Sequence, residues 1–345
     1  MRERLKQIPW GRLFSNLTSG VLTLFGLLVV TFFIGRKIPV DPVLSLIGES
    51  ANPAVYEKAR VSLGLHLPVY EQFWIYFKNI LHGDLGYSFL TSRPVLEDLL
   101  RVFAATVELS TLSLFVGALS GVFLGIWAAQ SHGGILDQVV RGISLVGYSV
   151  PVFWLGLLLL LVFYFLLDWA PGPGRLSVFY QDYSCPTGFV LIESLFRGDF
   201  LVFMDALHHL ILPTSILSYF NLSYIAKMTR SLILTEMRKP YVLTALIKGL
   251  SPKKIVFTHI LPNIRVPLFS IIVLSYGSLL EGTVLTETIF AWPGLGGYLV
   301  NSLKNVDMNA ILGATLLTGV VFVGLNTLVD MLSSFLDPRA RKNVF

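Results

Sequence analysis

Six long runs of apolar residues dominate the chain, and each is close to the length at which a helix crosses a lipid bilayer. The runs cover residues 17–38, 103–129, 140–168, 207–233, 264–289 and 309–333. A helix needs about 20 such residues to cross the roughly 30 Å of hydrocarbon, where only internal hydrogen bonds can satisfy the backbone. Since 54% of the 345 residues are hydrophobic and only 14% are charged, a soluble globular protein is excluded. The sequence therefore predicts an all-α membrane protein with about six transmembrane helices.

Lysine and arginine residues predict the orientation of the chain in the membrane. Segment 227–265 carries eight of them, at Lys227, Arg230, Arg238, Lys239, Lys248, Lys253, Lys254 and Arg265. Because cytoplasmic connections are enriched in basic residues, we expect this segment and both termini to be cytoplasmic. The net charge of +5 fits contact with anionic lipid headgroups, and no basic–aromatic pattern predicts a nucleic-acid partner.

The predicted spans divide the chain into five parts. These are a cytoplasmic N-terminal segment (1–16), a first transmembrane helix (17–38), an extracytoplasmic cap (39–102), a five-helix transmembrane core (103–333) and a cytoplasmic tail (334–345). The core includes a long cytoplasmic loop at 234–262. Within the cap, apolar residues recur at helical spacing and predict a helix at the membrane surface, at Val69, Phe73, Phe77 and Leu81.

Two of the spans carry marks of helix packing. In the second, small residues recur every four positions and form one ridge, at Ser113, Gly117, Gly121 and Gly125. Such a ridge lets another helix approach closely, so we expect a helix–helix seam there. In the third, Pro151 removes a backbone hydrogen bond and predicts a kink beside Tyr148, Phe153 and Trp154.

The loop at 234–262 is longer and more basic than an ordinary connection, and its residues predict two short helices. Pro240 suits the first turn of the first helix, and Gly249 suits the position just after its end. Ser251 can cap a second helix that begins at Pro252. A helix–glycine–helix elbow of this kind on the cytoplasmic side is typical of a docking element for a partner protein.

This elbow resembles the EAA loop of ABC importer permeases, in the version found in the dipeptide/oligopeptide/nickel branch. The resemblance lies in Tyr241-Val-Leu-Thr-Ala-Leu-Ile-Lys-Gly-Leu-Ser251, followed by His259 and by Leu261-Pro262-Asn263. Leu243, Thr244 and His259 depart from the general pattern, which has Glu, Ala and Ile there. Three further stretches resemble the same branch, namely Gly83-Asp84 through Arg93-Pro94-Val95, Glu287 through Gly296, and Leu336-Asp337-Pro338-Arg339.

The resemblance implies a type I importer built from two permeases, two ATPases and an external solute-binding protein. This chain would be one permease in a bacterial inner membrane, paired with a related but distinct second permease. ATP and Mg would be bound by the partner ATPases, and this chain would hold no cofactor or metal of its own. A peptide is the favoured cargo, while nickel chelates, opines and oligosaccharides stay open. The coupling residues it implies are Tyr241, Thr244, Ala245, Lys248, Gly249, Leu250, Ser251 and Lys253.

Ionisable residues inside the spans are costly and often functional, and Glu108, Glu281 and Asp330 are the clearest examples. Glu281 is the preferred pathway candidate because the fifth span resembles a pore-lining span of the family. A buried polar tie between helices is the alternative for such a residue. The full set predicted to line the translocation pathway is Tyr148, Phe153, Trp154, Asn221, Tyr224 and Glu281.

Other classes of function find less support in the residues. The sequence has no Gly-x-x-x-x-Gly-Lys-Ser/Thr motif, so the chain is not predicted to be an ATPase. An ion-coupled secondary transporter would need inverted repeats and converging acidic groups, and a membrane enzyme would need facing acid, base or metal-binding residues. His208 and His209 are adjacent, so they do not form the i, i+4 pair that commonly chelates a metal.

Overall fold

The computed structural model describes residues 10–37, 43, 52–62 and 64–336. The side chains of residues 10–17, 37, 59, 62, 281 and 332–336 lie outside this description. The pathway prediction for Glu281 therefore falls on a side chain that is not described. Most of the predicted N-terminal segment and the tail from residue 337 onward also lie outside the described residues.

The described residues fold into long helices joined by shorter ones. The long helices are α1 (Trp10–Lys37), α4 (Val95–Gln130), α8 (Phe200–Met237), α11 (Leu261–Ile289) and α13 (Met308–Leu336). The short ones are α2 (Pro53–Ser62), α3 (Val69–Leu81), α5 (Ile135–Ser149), α6 (Val152–Leu159), α7 (Val190–Arg197), α9 (Pro240–Ile247), α10 (Pro252–Ile255) and α12 (Leu295–Lys304). A π-helical stretch, Leu160–Leu166, continues α6, and a second, Val256–Ile260, joins α10 to α11.

Five of these helical segments are long and apolar enough to cross a membrane, and α5 together with α6 and its π-helical continuation would make a sixth. The predicted number of spans is therefore confirmed, but the third span is not one kinked helix. Its two halves meet at an angle of 100°. Val150 is extended, with ψ of 126°, because a residue before proline is pushed out of the helical region. The predicted span 140–168 is thus a broken pair of helices.

The chain forms two compact units. The first contains residues 1–105, 186–188 and 293–327. In it, the predicted helix α3 forms, with Phe73 buried against Phe32 and Met308 while Trp74 stays exposed. Val69 and Leu81, which were predicted for the same apolar face, are exposed, and the position of α3 at the membrane surface stays a prediction. Asp307, fully buried just before α13, accepts hydrogen bonds from the Ser88 hydroxyl at 2.6 Å and from the backbone N–H groups of residues 89 and 90. This carboxylate fixes the loop that precedes α4.

The second unit contains residues 106–185, 189–292 and 328–345, and α8 lies in it between α4 and α5. The small-residue ridge of α4 lies against α8. A Cβ atom added at Gly117 or Gly125 would come within 2.8 or 2.7 Å of a backbone carbonyl of α8, and one at Gly121 would come within 3.0 Å. Only glycine permits this approach, and the Ser218 hydroxyl adds a 3.0 Å hydrogen bond to the carbonyl of Ser113.

Candidate functional site

The predicted elbow after α8 is present as two short helices. Pro240 begins α9, and Gly249 follows its end with φ of +81°, in the left-handed region that favours glycine. The Ser251 hydroxyl then accepts a hydrogen bond from the Lys254 N–H at 3.4 Å, and Pro252 occupies the first turn of α10. No break marks the predicted end of the loop at 262, because α10 passes through the π-helical stretch directly into α11. The second half of the elbow is therefore the beginning of the next span.

The inner side of the elbow is packed into a hydrophobic cluster. Val242 and Ala245 of α9 are buried together with Ile233 of α8 and Ile126 of α4. Ile255, Val256, Ile260 and Ile264 complete the cluster from the α10–α11 side. Burial of this many aliphatic side chains resists separation of the parts. The elbow therefore joins the ends of three helices into one packed body.

Tyr241 adds a polar link to the same body. Its hydroxyl donates a hydrogen bond to the Glu236 carboxylate at 3.1 Å, and Lys239 pairs with the other oxygen of that carboxylate at 2.5 Å. Burial raises the pKa of the Tyr241 phenol, with a smaller opposing contribution from a hydrogen bond with Asn263. The phenol thus remains a hydrogen-bond donor at neutral pH, and it ties α9 to the end of α8.

The outer side of the elbow exposes apolar residues that the sequence reasoning missed. Leu243, Leu246 and Ile247 are 61%, 44% and 79% exposed. Their i, i+3, i+4 spacing was the available signal, since such residues share one face of a helix. Among the predicted coupling residues, Thr244, Lys248, Gly249, Ser251 and Lys253 are exposed. Ala245 is buried and Tyr241 and Leu250 pack inward, so these three do not form the exposed face.

The residues predicted to line a pathway do not all share one environment. Tyr148, Phe153 and Trp154 are exposed, and Tyr224 is half-buried. Asn221 is 6% exposed, and its amide donates a hydrogen bond to the Leu217 carbonyl at 3.1 Å. A Cβ at Gly117 would lie 2.7 Å from the Cβ of Asn221. Asn221 therefore lies in the seam with α4, and its part in the pathway stays a prediction.

Glu108, an ionisable residue inside a span, forms a structural tie. Its carboxylate accepts a hydrogen bond from Arg175 at 2.5 Å and another from the Leu191 backbone N–H at 2.7 Å. It therefore holds α4 to the connection between α6 and α7. His208 and His209 each lie near a backbone carbonyl, and no group of three metal-binding side chains occurs within the described ranges.

Two known families of membrane transport proteins match this chain. Residues 121–342 match the family described as binding-protein-dependent transport system inner membrane component, and residues 12–110 match the N-terminal family of the same membrane components. The chain belongs to this permease family. It is accordingly a multi-pass protein of the inner membrane and a subunit of an ABC transporter.

Curated relatives of this permease extend over nearly the whole chain. It is 40% identical to the probable D,D-dipeptide transport system permease protein of Escherichia coli, over 97% of this chain and 96% of that relative. It is also 40% identical to the di/tripeptide transport system permease protein of Pseudomonas aeruginosa, over 92% of this chain and 95% of the relative. The dipeptide transport system permease protein of Escherichia coli is 37% identical, over 92% of this chain and 95% of that relative.

A solved structure of the methionine ABC transporter MetNI in an inward-facing conformation is similar to this permease in fold. The TM-score is 0.50 with 15% sequence identity, and the match covers 69% of this chain and 96% of the other. At this level of identity the likeness concerns the fold alone. It confirms the predicted type I importer permease bundle.

Proposed function

We propose that this permease forms half of the translocation pathway of an ATP-driven importer for di- or oligopeptides. The names of relatives at 37–40% identity support a peptide cargo. The partners would be a second, related permease, two ATP-binding subunits and an extracytoplasmic solute-binding protein. Both termini and the elbow would face the cytoplasm, in line with the basic residues of segment 227–265.

The two-sided elbow carries the proposal. Leu243, Leu246 and Ile247 offer an apolar helix face that suits a groove on an ATPase subunit. The opposite face is packed onto α4, α8 and α11 through Val242 and Ala245. A displacement of the ATPase would therefore move the helix ends together, as a rigid body. ATP would be bound and hydrolysed by the partners, while this chain transmits the motion.

The sharpest test replaces Ile247 by glutamate and compares it with Ile135→Glu. Both isoleucines are about four-fifths exposed, at 79% and 82%, but Ile135 lies at the start of α5, outside the elbow. Ile247→Glu places a charge on the docking face, so we expect at least a tenfold loss of co-purified ATPase and of dipeptide uptake. Ile135→Glu should keep both. Normal assembly and transport in the Ile247→Glu variant would overturn the proposal.

Substitutions at Ala245 and Gly249 test the other face of the elbow. Ala245→Glu would bury a charge in the hydrophobic cluster, and Gly249→Glu would force a side chain into a left-handed backbone conformation. We expect both variants to insert into the membrane and lose uptake. Unlike Ile247→Glu, they should also lower the thermal stability of the purified permease, which separates damaged packing from lost docking.

A further inference from the structure

A cavity of about 680 Å³ lies between α5 and α8, within the second unit. Small-molecule sites commonly have volumes of about 300–1,000 Å³, so this cavity is large enough for a compact ligand. The side chains that give it chemical character are Gln138, Arg141, Ser144, Tyr148, Lys227 and Arg230. Tyr148 was predicted to line the pathway, and Lys227 and Arg230 belong to the basic segment 227–265.

The cavity lining is cationic. Arg230 is already neutralised, because its guanidinium pairs with Asp137 through contacts of 2.5 and 2.7 Å. In the described part of the chain, neither Arg141 nor Lys227 has a carboxylate within salt-bridge distance. Instead, the Lys227 ammonium lies 5.0 Å from the centre of the Tyr148 ring. Among the residues that the structure describes, no acidic side chain lines the cavity, so two positive charges remain uncompensated beside it.

Ser144 points to the same ligand chemistry independently. It lines the cavity and is only 6% exposed. Its buried hydroxyl has no hydrogen-bond partner among the residues described. Leaving such a group unpaired is costly. The oxygen itself has less than 1 Å² of accessible surface, so the side chain must rotate toward the cavity before a ligand oxygen can accept from it. A hydroxyl beside an ammonium and a guanidinium is a suitable set of donors for a carboxylate.

We propose that this cavity binds the terminal carboxylate of the peptide cargo, with Lys227 and Arg141 as its charge partners. The inference rests on the proposed import function and names a subsite within it. Ser231, at the cavity edge, lies about 9 Å along α8 from Met237, given a rise of 1.5 Å per residue. The cavity is therefore close to the elbow, at the end where an imported peptide would leave the permease.

A cysteine-protection experiment on the complete importer in nanodiscs tests the site. Cys185 is the only cysteine of the chain, so Ser231→Cys in a Cys185→Ser background gives one label position at the cavity. In neutral phosphatidylcholine, alanyl-alanine at millimolar concentration should slow maleimide incorporation at least threefold. Its C-terminal amide should not, since it lacks the carboxylate. Ser149→Cys, exposed on α5 outside the cavity lining, is the matched control and should react at one rate throughout.

Variants and lipids then separate the sources of the anion. Lys227→Gln should raise the alanyl-alanine concentration needed for protection about tenfold, the loss expected for one charge-assisted hydrogen bond. Protection by phosphatidylglycerol nanodiscs alone, with no further effect of the dipeptide, would assign the cavity to a lipid headgroup and overturn the proposal. Equal protection by dipeptide and amide, or none by either, would also overturn it. If ATPase co-purification and uptake persist in that case, the import function stands and only this subsite fails.

Discussion

Helix α8 meets two of its neighbours, α4 and α5, in different ways. Against α4 it forms a continuous seam in which three glycines, at 117, 121 and 125, bring backbone close to backbone. Against α5 it makes close contact where Gly147 meets Ser223, and it forms an ion pair at the inner end, where Arg230 meets Asp137. Between these two points lies the cavity of about 680 Å³.

The difference indicates which parts of the permease can move and which cannot. Close packing of small residues leaves no volume to redistribute, so α4 and α8 behave as one body. The α5 interface combines the buried apolar pair Val140 and Ala226 with the close approach of Gly147 to Ser223. It also contains the Arg230–Asp137 ion pair, whose charged groups can exchange partners with a ligand or with water. The α5 side of α8 therefore has open volume that the α4 side lacks.

The largest effect is expected from filling the seam. Gly125→Leu would bring a side chain against the Ala226 carbonyl and the Thr229 side chain, each 2.7 Å from where the Cβ must lie. Because one obstacle is backbone, the helices can avoid the clash only by separating. We expect at least a tenfold loss of monodisperse permease after purification.

Gly324→Leu is the matched control for the seam. Gly324 is also a helical glycine, in α13, but a Cβ there meets no described atom within 4 Å. Its yield should stay near that of the natural chain. A Gly125→Leu variant that purifies as well as Gly324→Leu would show that α4 and α8 do not form one rigid body.

A smaller but still large effect is expected from the ion pair on the α5 side. Asp137 is 1% exposed and also accepts the Gly133 N–H at 3.0 Å. Asp137→Ala leaves the Arg230 charge unpaired in a partly buried position, which typically costs about 3–5 kcal/mol. We expect a lower apparent melting temperature of the purified importer.

The double variant Asp137→Ala/Arg230→Met removes both charges and separates two explanations. It should recover most of the lost stability, because an apolar pair of similar volume can replace a buried ion pair. If the double variant is no more stable than Asp137→Ala alone, the loss of stability comes from the lost hydrogen bond of Asp137 to Gly133 at the start of α5 and not from the unpaired charge of Arg230.

The sequence predicts the seam but not the interface with α5, for a physical reason. Glycines four residues apart must share a helix face whatever their partner, so their spacing alone is enough to predict the seam. The ion pair joins residues 137 and 230, which are far apart in sequence, and only the packing of α5 against α8 brings them together. Asp137 was accordingly missed, whereas Arg230 was noted only as one of the basic residues of segment 227–265.

Packing between residues that are far apart in sequence also explains the other differences between the predictions and the structure. Pro151 indicates a disturbed helix, but whether the chain kinks or turns by 100° depends on what the second half packs against. The elbow was predicted correctly because proline, serine and glycine act locally at helix ends. Its orientation was not, since the burial of Ala245 and the exposure of Ile247 follow from the cluster beneath α9.

The smallest predicted effect compares two adjacent residues of α8 that bond to opposite neighbours. Ser218 donates to the Ser113 carbonyl of α4 at 3.0 Å, and Tyr219 donates to the Ile143 carbonyl of α5 at 2.9 Å. Hydrogen bonds between membrane helices each stabilise the fold by about 0.6 kcal/mol on average.

The loss of stability in Ser218→Ala should stay within that value, because the glycine seam still holds α4 in place. Tyr219→Phe loses a similar energy at the interface that contains the cavity, so it should speed maleimide labelling of a Ser231→Cys variant severalfold while Ser218→Ala does not. Equal labelling rates in the two variants would mean that α5 is held as firmly as α4.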